Sequence, residues 1–257
     1  MEILVISLVA FFAAILTFFS GFGLGTILTP VFMVFFPVEL AIALTGVVHF
    51  FNNIFKLLLV GRKADRTVLL RFGIPAVLAA FVGSWLLLGI SNLEPLFSYL
   101  AFGKEFTVFP VKFIVSVLLI IFALIDLIPR FNKLQFGKNK LALGGILSGF
   151  FGGLSGNQGA LRSAFLVKAG LSKETFIGTT VVVSTCVDLT RLSVYSGGIA
   201  VSGFESNLNM LLFATLSGIA GSFTGNKLLK KVTIGFIRNL VAILLIIIAI
   251  ALGTGLI

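Results

Sequence analysis

Gly152-Gly153-Leu154-Ser155-Gly156-Asn157-Gln158-Gly159 decides how this chain folds, because it sits in the middle of an apolar run, residues 141–170, that is too long for one ordinary membrane crossing. Glycine weakens a helix interior by about 1 kcal/mol relative to alanine, so this stretch predicts a break. A second interruption, Ser20-Gly21-Phe22-Gly23-Leu24-Gly25-Thr26, divides the run 3–36 in the same way. Between and after them lie unbroken apolar stretches at 38–60, 69–90, 110–128, 174–195, 207–226 and 234–256. Each approaches the roughly 20 residues needed to cross a hydrocarbon core.

Composition agrees. The 257 residues are 58% hydrophobic and 11% charged, with a mean hydropathy of +1.18; a soluble domain carries roughly 25% charged residues. The fold class expected is an all-α polytopic membrane protein. The first apolar run follows Met1-Glu2-Ile3 without a basic leader or small-residue cleavage pattern, so it is expected to be retained. The net charge of +10 falls in short gaps between apolar runs, where Lys and Arg mark cytoplasmic loops. No nucleic-acid-binding motif accompanies it, so nucleic acid is not expected as a partner. One cysteine, Cys186, excludes an internal disulfide and a multi-cysteine metal site.

The two interruptions belong to two related halves. At an offset of 133 residues (156 − 23), Gly23 pairs with Gly156, Leu28 with Leu161 and Phe32 with Phe165. At an offset of 135 (188 − 53), Glu39 meets Glu174, Thr45 meets Thr180, and Lys56 meets Arg191. Residues 1–128 are therefore expected to form a first transmembrane repeat, 129–140 a basic cytoplasmic linker, and 141–257 a second repeat. Three basic segments, Gly61–Arg71, Arg130–Lys140 and Lys227–Arg238, hold four Lys/Arg each and one acid between them, Asp65. All three face the cytoplasm only if 141–170 enters and leaves on the same side. Two half-helices meeting at a glycine tip satisfy that parity. If 3–36 does likewise, each half is a hairpin plus three spans, the second half is inverted relative to the first, and the C-terminus lies outside the cytoplasm. Secondary transporters commonly share that architecture. The rival is eight full crossings with one basic loop outside. Residues 91–109 are expected to form an outward loop on the membrane surface or capping the bundle.

Irregular backbone is tolerated at membrane depth only where protein buries it or a cavity is lined, so the two tips are the first candidates for a site. Gly23, Gly25 and Thr26 at one, and Ser155, Asn157, Gln158 and Gly159 at the other, would present backbone amides at half-helix N-termini near Thr26 and Gly159, which suit an anion. The competing reading is that the glycines serve close helix packing alone. Arg162 follows one turn later; a mid-membrane Arg costs about 2.5–3.5 kcal/mol on insertion scales, and a cavity, a carboxylate or an anionic ligand must offset it unless the side chain snorkels to the interface. The spans after each interruption carry matching polar faces, Thr45, His49, Asn52 or Asn53, and Lys56 on one and Thr180-Ser184-Asp188-Arg191 on the other, spaced three or four residues apart. Lys56 and Arg191 are candidate anion ligands or snorkelling cations, Asp188 and Arg191 a self-neutralising pair, and His49 and Asp188 candidates for proton coupling. No catalytic residue, metal ligand or cofactor is expected.

At these residues the chain resembles the TauE/SafE family of sulfite exporters and organosulfur-anion transporters, through Gly21-Phe22-Gly23-Leu24-Gly25-Thr26-Ile27-Leu28-Thr29-Pro30 and Gly152–Ala160, the duplicated halves and the basic loops. The resemblance implies a multi-pass transporter in the cell membrane (the inner membrane of a bacterium) for a small anion such as sulfite, sulfoacetate or another sulfonate, often an exporter. Asn157 and Gln158 stand where the family commonly has glycine, and Arg162 stands in a normally apolar stretch. Expected partners are the anion and the lipid bilayer, with a homodimer left open. An anion channel would use the same residues; a metal-cation transporter would want His, Cys or acidic clusters that this sequence lacks; an intramembrane enzyme would need a nucleophile–base spacing that it does not show.

Overall fold

A backbone in lipid must satisfy its own hydrogen bonds, and the apolar runs do so as helices. The structure, a computed structural model, describes residues 1–18, 23–128, 136–196, 200–228 and 234–257. In chain order these are α1 (Glu2–Thr17), α2 (Gly25–Phe35), α3 (Val38–Val60), α4 (Arg66–Ser91), strands β1 (Phe97–Ala101) and β2 (Lys104–Val108), α5 (Pro110–Leu127), α6 (Leu141–Ser155), α7 (Gly159–Leu166), α8 (Lys173–Tyr195), α9 (Ala200–Ser206), α10 (Leu208–Leu228) and α11 (Ile234–Gly253). Among the described residues four helices, α3, α4, α8 and α10, are long and apolar enough to cross a membrane. Ser20-Gly21-Phe22 and most of the basic linker, residues 129–135, lie outside the described residues.

The polarity of the molecule is that of a membrane protein. Leu58, Trp85, Leu78 and Leu4 stand exposed, while His49, Lys56, Arg162, Asp188 and Arg191 are buried. In water that arrangement would be unstable; in lipid the apolar belt is solvated and the charged groups are screened by protein.

Glycine spacing sets the tightest contact. Gly145, Gly149 and Gly153, four residues apart on α6, lie against Phe72, Ala76 and Ala80 of α4, and a Cβ at any of the three would overlap a backbone carbonyl oxygen. The two helices therefore run parallel at backbone contact, as small-residue stripes allow in membranes. Near Gly145 the α4 backbone widens into a π turn over Leu69–Gly73. With the halves exchanged, the equivalent parallel contact joins α1 to α10, where Gly221 meets Phe11 and Ala14, and Gly225 meets Ile15 and Phe18. Two antiparallel pairs cross between the halves. In α3–α8, Gly46 meets Arg191 and Gly178 meets Val60; in α5–α11, Gly253 meets Ser116. Helix pairing is thus matched under exchange of the halves.

The described helices on either side of each interruption pack on one another, α2 on α1 and α7 on α6. The α7 helix returns along α6, with Gly152 against Gln158, Gly144 against the Phe165 ring, and Gly170 close to Lys138 at the start of the segment. Stacking of Phe136 on Phe165 at 4.3 Å ties entry to exit. The α2 helix instead ends beside Ser91, Lys112, Leu252 and Ile257, around a cavity of about 450 Å³ at the opposite end of the bundle from Lys63 and Gly178. Residues 37 and 171 therefore lie at opposite ends, as two inverted hairpins require.

The loop 91–109 holds a β-hairpin, with Phe97 opposite Val108 and Tyr99 opposite Phe106. The Tyr99 hydroxyl donates to the Thr254 carbonyl at 2.6 Å, fastening the hairpin to the end of α11.

Candidate functional site

Each hairpin turns on a glycine that adopts a left-handed backbone: Gly23 at φ +85° and Gly156 at φ +73°. These are positions paired by the 133-residue offset, so the internal match extends to backbone conformation. Gly156 caps α6, its amide donating to the Gly152 carbonyl at 3.1 Å. A side chain at Gly23 would meet His49 Nε2 within 2.8 Å, and one at Gly156 would meet Arg191 Nη1 at 3.1 Å and Thr29 Oγ1 at 3.2 Å. The packing reading of the glycines thus holds for Gly145, Gly149 and Gly153, while Gly23 and Gly156 make turns.

The two tips touch one another at the centre of the bundle. Thr26 Oγ1 donates to Asn157 Oδ1 at 3.3 Å, and a Cβ on Gly25 would lie 3.4 Å from the Gly156 carbonyl oxygen. The Thr26 amide, expected to be unpaired, donates instead to the Gly23 carbonyl at 3.4 Å, and the Leu28 amide to Leu24 at 3.1 Å. The first half-helix start is therefore spent largely on its own turn. At the second tip, the Ser155 hydroxyl donates to the Phe151 carbonyl at 2.9 Å and accepts from the Asn157 amide at 3.4 Å. Gln158 is buried, and its side-chain amide holds no hydrogen bond among the described residues. Gly159 opens α7, which carries Arg162 inward by its fourth residue.

Around the tips, α3 and α8 supply an ionic network. Asp188, fully buried, receives His49 Nδ1 at 2.6 Å and Asn53 Nδ2 at 3.0 Å on one carboxylate oxygen, and Arg191 Nε at 3.0 Å on the other. An ionised carboxylate only accepts, so the His49 proton on this side sits on Nδ1. Arg191 Nη2 also lies 2.9 Å from Asp188, completing a buried ion pair one turn apart. The self-neutralising pair expected from sequence is present.

Lys56 and Arg162 come together beside this network, with the Asp188 charge near enough to attract Arg162. Both line a cavity of about 20 Å³ with Thr17, Phe18, Gly23, Asn53, Thr180 and Ser184, and among the described residues that lining contains no acid. They lie close enough to repel each other. Arg162 Nη1 donates to Ser184 Oγ at 2.5 Å. Lys56 Nζ sits 5.2 Å from the centre of the Phe18 ring. With the Asn52 amide turned so that its nitrogen donates to Ser222 Oγ at 2.7 Å, its oxygen accepts from Lys56 at 3.3 Å. Lys56 and Arg162 are 3% and 1% exposed and Arg191 is fully buried, so none of the three snorkels.

Among the described residues the buried interior thus holds three cations against one carboxylate, an excess of two positive charges when His49 is neutral. Isolated, each such cation would be expensive at membrane depth. A small oxyanion with one or two negative charges compensates the excess, and guanidinium forks suit its geometry. Sequence reasoning missed Thr29 as a neighbour of Arg191 and Tyr195, whose hydroxyl donates to the Gly153 carbonyl and ties α8 to the second hairpin. The repeat offset carries Arg162 onto Thr29 and would have found it; Tyr195 pairs with Val60 and left no such signal.

Apolar helices on the outside, two hairpins that stop half-way and cations buried where they meet define a multi-pass membrane transport protein. A family model described as Sulfite exporter TauE/SafE matches residues 6–252, and the chain belongs to that family. No curated protein matches, and no solved structure does. The family is one of transporters rather than enzymes.

Proposed function

We propose that the protein is a secondary transporter, working as an exporter, that moves a small organosulfur or inorganic anion such as sulfite or a sulfonate across the cell membrane by alternating access. The carrying observation is the cavity at the hairpin tips, whose described lining brings Lys56 and Arg162 together with Asn53, Thr180 and Ser184. Anion oxygens bound there would take guanidinium and ammonium donors together with neutral donors from Asn53, Thr180 and Ser184. About 20 Å³ accommodates roughly one water molecule, so a sulfonate head enters only when the hairpins part from the long helices. That is the behaviour of a carrier rather than of a standing pore. The basic ends of α3 and α6 face the cytoplasm in this reading, and the α5 start and α11 end face outward. His49 and Asp188, bonded to each other, are the pair through which protons would couple.

The test is a thermal-shift panel on purified protein with sulfite, sulfate, small alkylsulfonates and carboxylates, because a ligand that binds only the folded state raises its apparent stability. Stabilisation by sulfite or a sulfonate at concentrations where chloride does nothing is expected. Equal response to every anion, or to none, contradicts the proposal.

A further inference from the structure

Away from the hairpin tips, the outer surface of the bundle carries an apolar groove of about 340 Å³ between α4 and α8. Its lining includes Leu70, Gly73, Ile74 and Leu78 of α4 with Val182 and Cys186 of α8. The groove has a local origin. The π turn over Leu69–Gly73 widens α4 there, and such turns often mark functional sites. Gly73 brings no side chain to the gap, although a Cβ would meet only Val183, at an ordinary 3.5 Å. Leu70, Ile74, Leu78 and Cys186 stand exposed, so the groove opens toward lipid. From Leu69 to Leu78 the chain advances about 14 Å, close to half of a hydrocarbon core about 30 Å thick. The groove thus has the depth of one leaflet, and the basic segment Gly61–Arg71 assigns it to the cytoplasmic one.

The cytoplasmic end of the groove is basic. Arg66 lies one turn before Leu70, on the exposed face that continues through Ile74 and Leu78. Arg71 follows Leu70 on the π turn and is exposed too. Neither arginine holds an ion pair or a hydrogen bond among the described residues. Asp65, the one acid of the segment, is engaged at the helix start, where its carboxylate accepts from the Val68 amide at 2.8 Å. Its own amide donates to Thr179 Oγ1 of α8 at 2.9 Å, closing the groove at that end. We propose that this groove binds one anionic phospholipid of the cytoplasmic leaflet, with the phosphate on Arg66 and Arg71 and one acyl chain laid between α4 and α8. Guanidinium forks match phosphate oxygens, and basic pockets between spanning helices on this side of a membrane hold anionic headgroups. The site rests on the fold alone and not on the identity of the transported anion. Its lipid would bridge α4, on which the second hairpin seats, to α8, which carries Asp188 and Arg191.

The experiment is native mass spectrometry of delipidated full-length protein in detergent. It is titrated with phosphatidylglycerol and phosphatidylcholine bearing the same dioleoyl chains, and with glycerol phosphate as a headgroup without chains. Wild type should form a single phosphatidylglycerol adduct at about 30-fold lower concentration than the phosphatidylcholine one, about fivefold for each arginine. Glycerol phosphate should form none. Arg66→Gln with Arg71→Gln, both at the surface and so harmless to the fold, should bring phosphatidylglycerol to the phosphatidylcholine level. Cys186→Trp, which fills the groove from its exposed side, should weaken both lipids about tenfold by taking the apolar surface from them. Should Cys186→Trp fail to fold, the arginine variant carries the test. Equal affinity of wild type for the two lipids, or a preference that survives loss of both arginines, overturns the proposal. Glycerol phosphate binding as tightly as phosphatidylglycerol, or folded Cys186→Trp protein with wild-type affinity, removes the groove from the site and overturns it as well.

Discussion

Replacing Arg162 with Gln separates the cost of the buried charge from its use. The wild-type guanidinium is 1% exposed, donates to Ser184 and repels Lys56 across their shared cavity. Gln keeps a donor for Ser184 but removes the charge, and with it a burial penalty of about 2.5–3.5 kcal/mol on membrane-insertion scales and the repulsion. The ligand-free variant should therefore insert, purify as a single species and unfold at the wild-type temperature or a few degrees above it. Binding should move the other way. A guanidinium fork gives an oxyanion two charge-assisted hydrogen bonds of about 1.5–3 kcal/mol each, and an amide replaces one of them with a neutral bond near 1 kcal/mol. The net loss of about 2–5 kcal/mol weakens binding roughly 30- to 5000-fold. Isothermal titration of sulfite or a sulfonate into both proteins in detergent reads this directly. A folded Arg162→Gln protein whose Kd stays within a factor of about three of wild type would remove Arg162 from the site and refute the reasoning.

Other consequences can be checked independently. Gly149→Leu should prevent α6 from seating against Ala76, because even a Cβ there overlaps the Ala76 carbonyl oxygen; overpacking of about 1–3 kcal/mol or more should appear as a lowered unfolding temperature and loss of monodisperse protein, and a wild-type profile would contradict the observed contact. In a Cys186→Ser background, cysteines at 39 and 171 should react with a membrane-impermeant thiol reagent from opposite faces of the membrane; reaction from one face would overturn the inverted hairpins. Asp188→Asn strands Arg191 and releases His49 and Asn53, and breaking a buried ion pair costs about 3–5 kcal/mol. The ligand-free variant should unfold earlier than wild type and gain more from added sulfite than wild type does; an unchanged unfolding temperature would remove Asp188 from the network.

Much of the architecture was legible because membranes restrict the options. A backbone break at Gly156 could survive only inside protein, and charge parity across Arg62, Lys138 and Lys227 then demanded a return to the same side. Gly23 and Gly156 carried the duplication because a left-handed turn favours glycine in each half. Arg162 could be placed in the interior because an apolar neighbourhood makes a charge conspicuous. Contacts that depend on long-range geometry were harder to see. The pairing of His49 with Asp188 joins residues on different helices, and only the packing of α3 against α8 brings them within 2.6 Å. Thr29 reads as an ordinary hydroxyl of an apolar helix until Gly156 and Arg191 are found beside it. The hairpin at Phe97–Val108 was hidden by an alternating pattern too short to distinguish from a polar loop.

Counterflow in proteoliposomes probes the account most directly: vesicles loaded with sulfite and diluted into a trace of labelled sulfite. A carrier whose cations meet the anion only when the hairpins part should accumulate label transiently, saturate with external sulfite, and lose both behaviours when Lys56 and Arg162 are changed to Gln together. Label that enters linearly without overshoot or saturation, or that is unaffected by the double substitution, would contradict an anion carried at the hairpin tips.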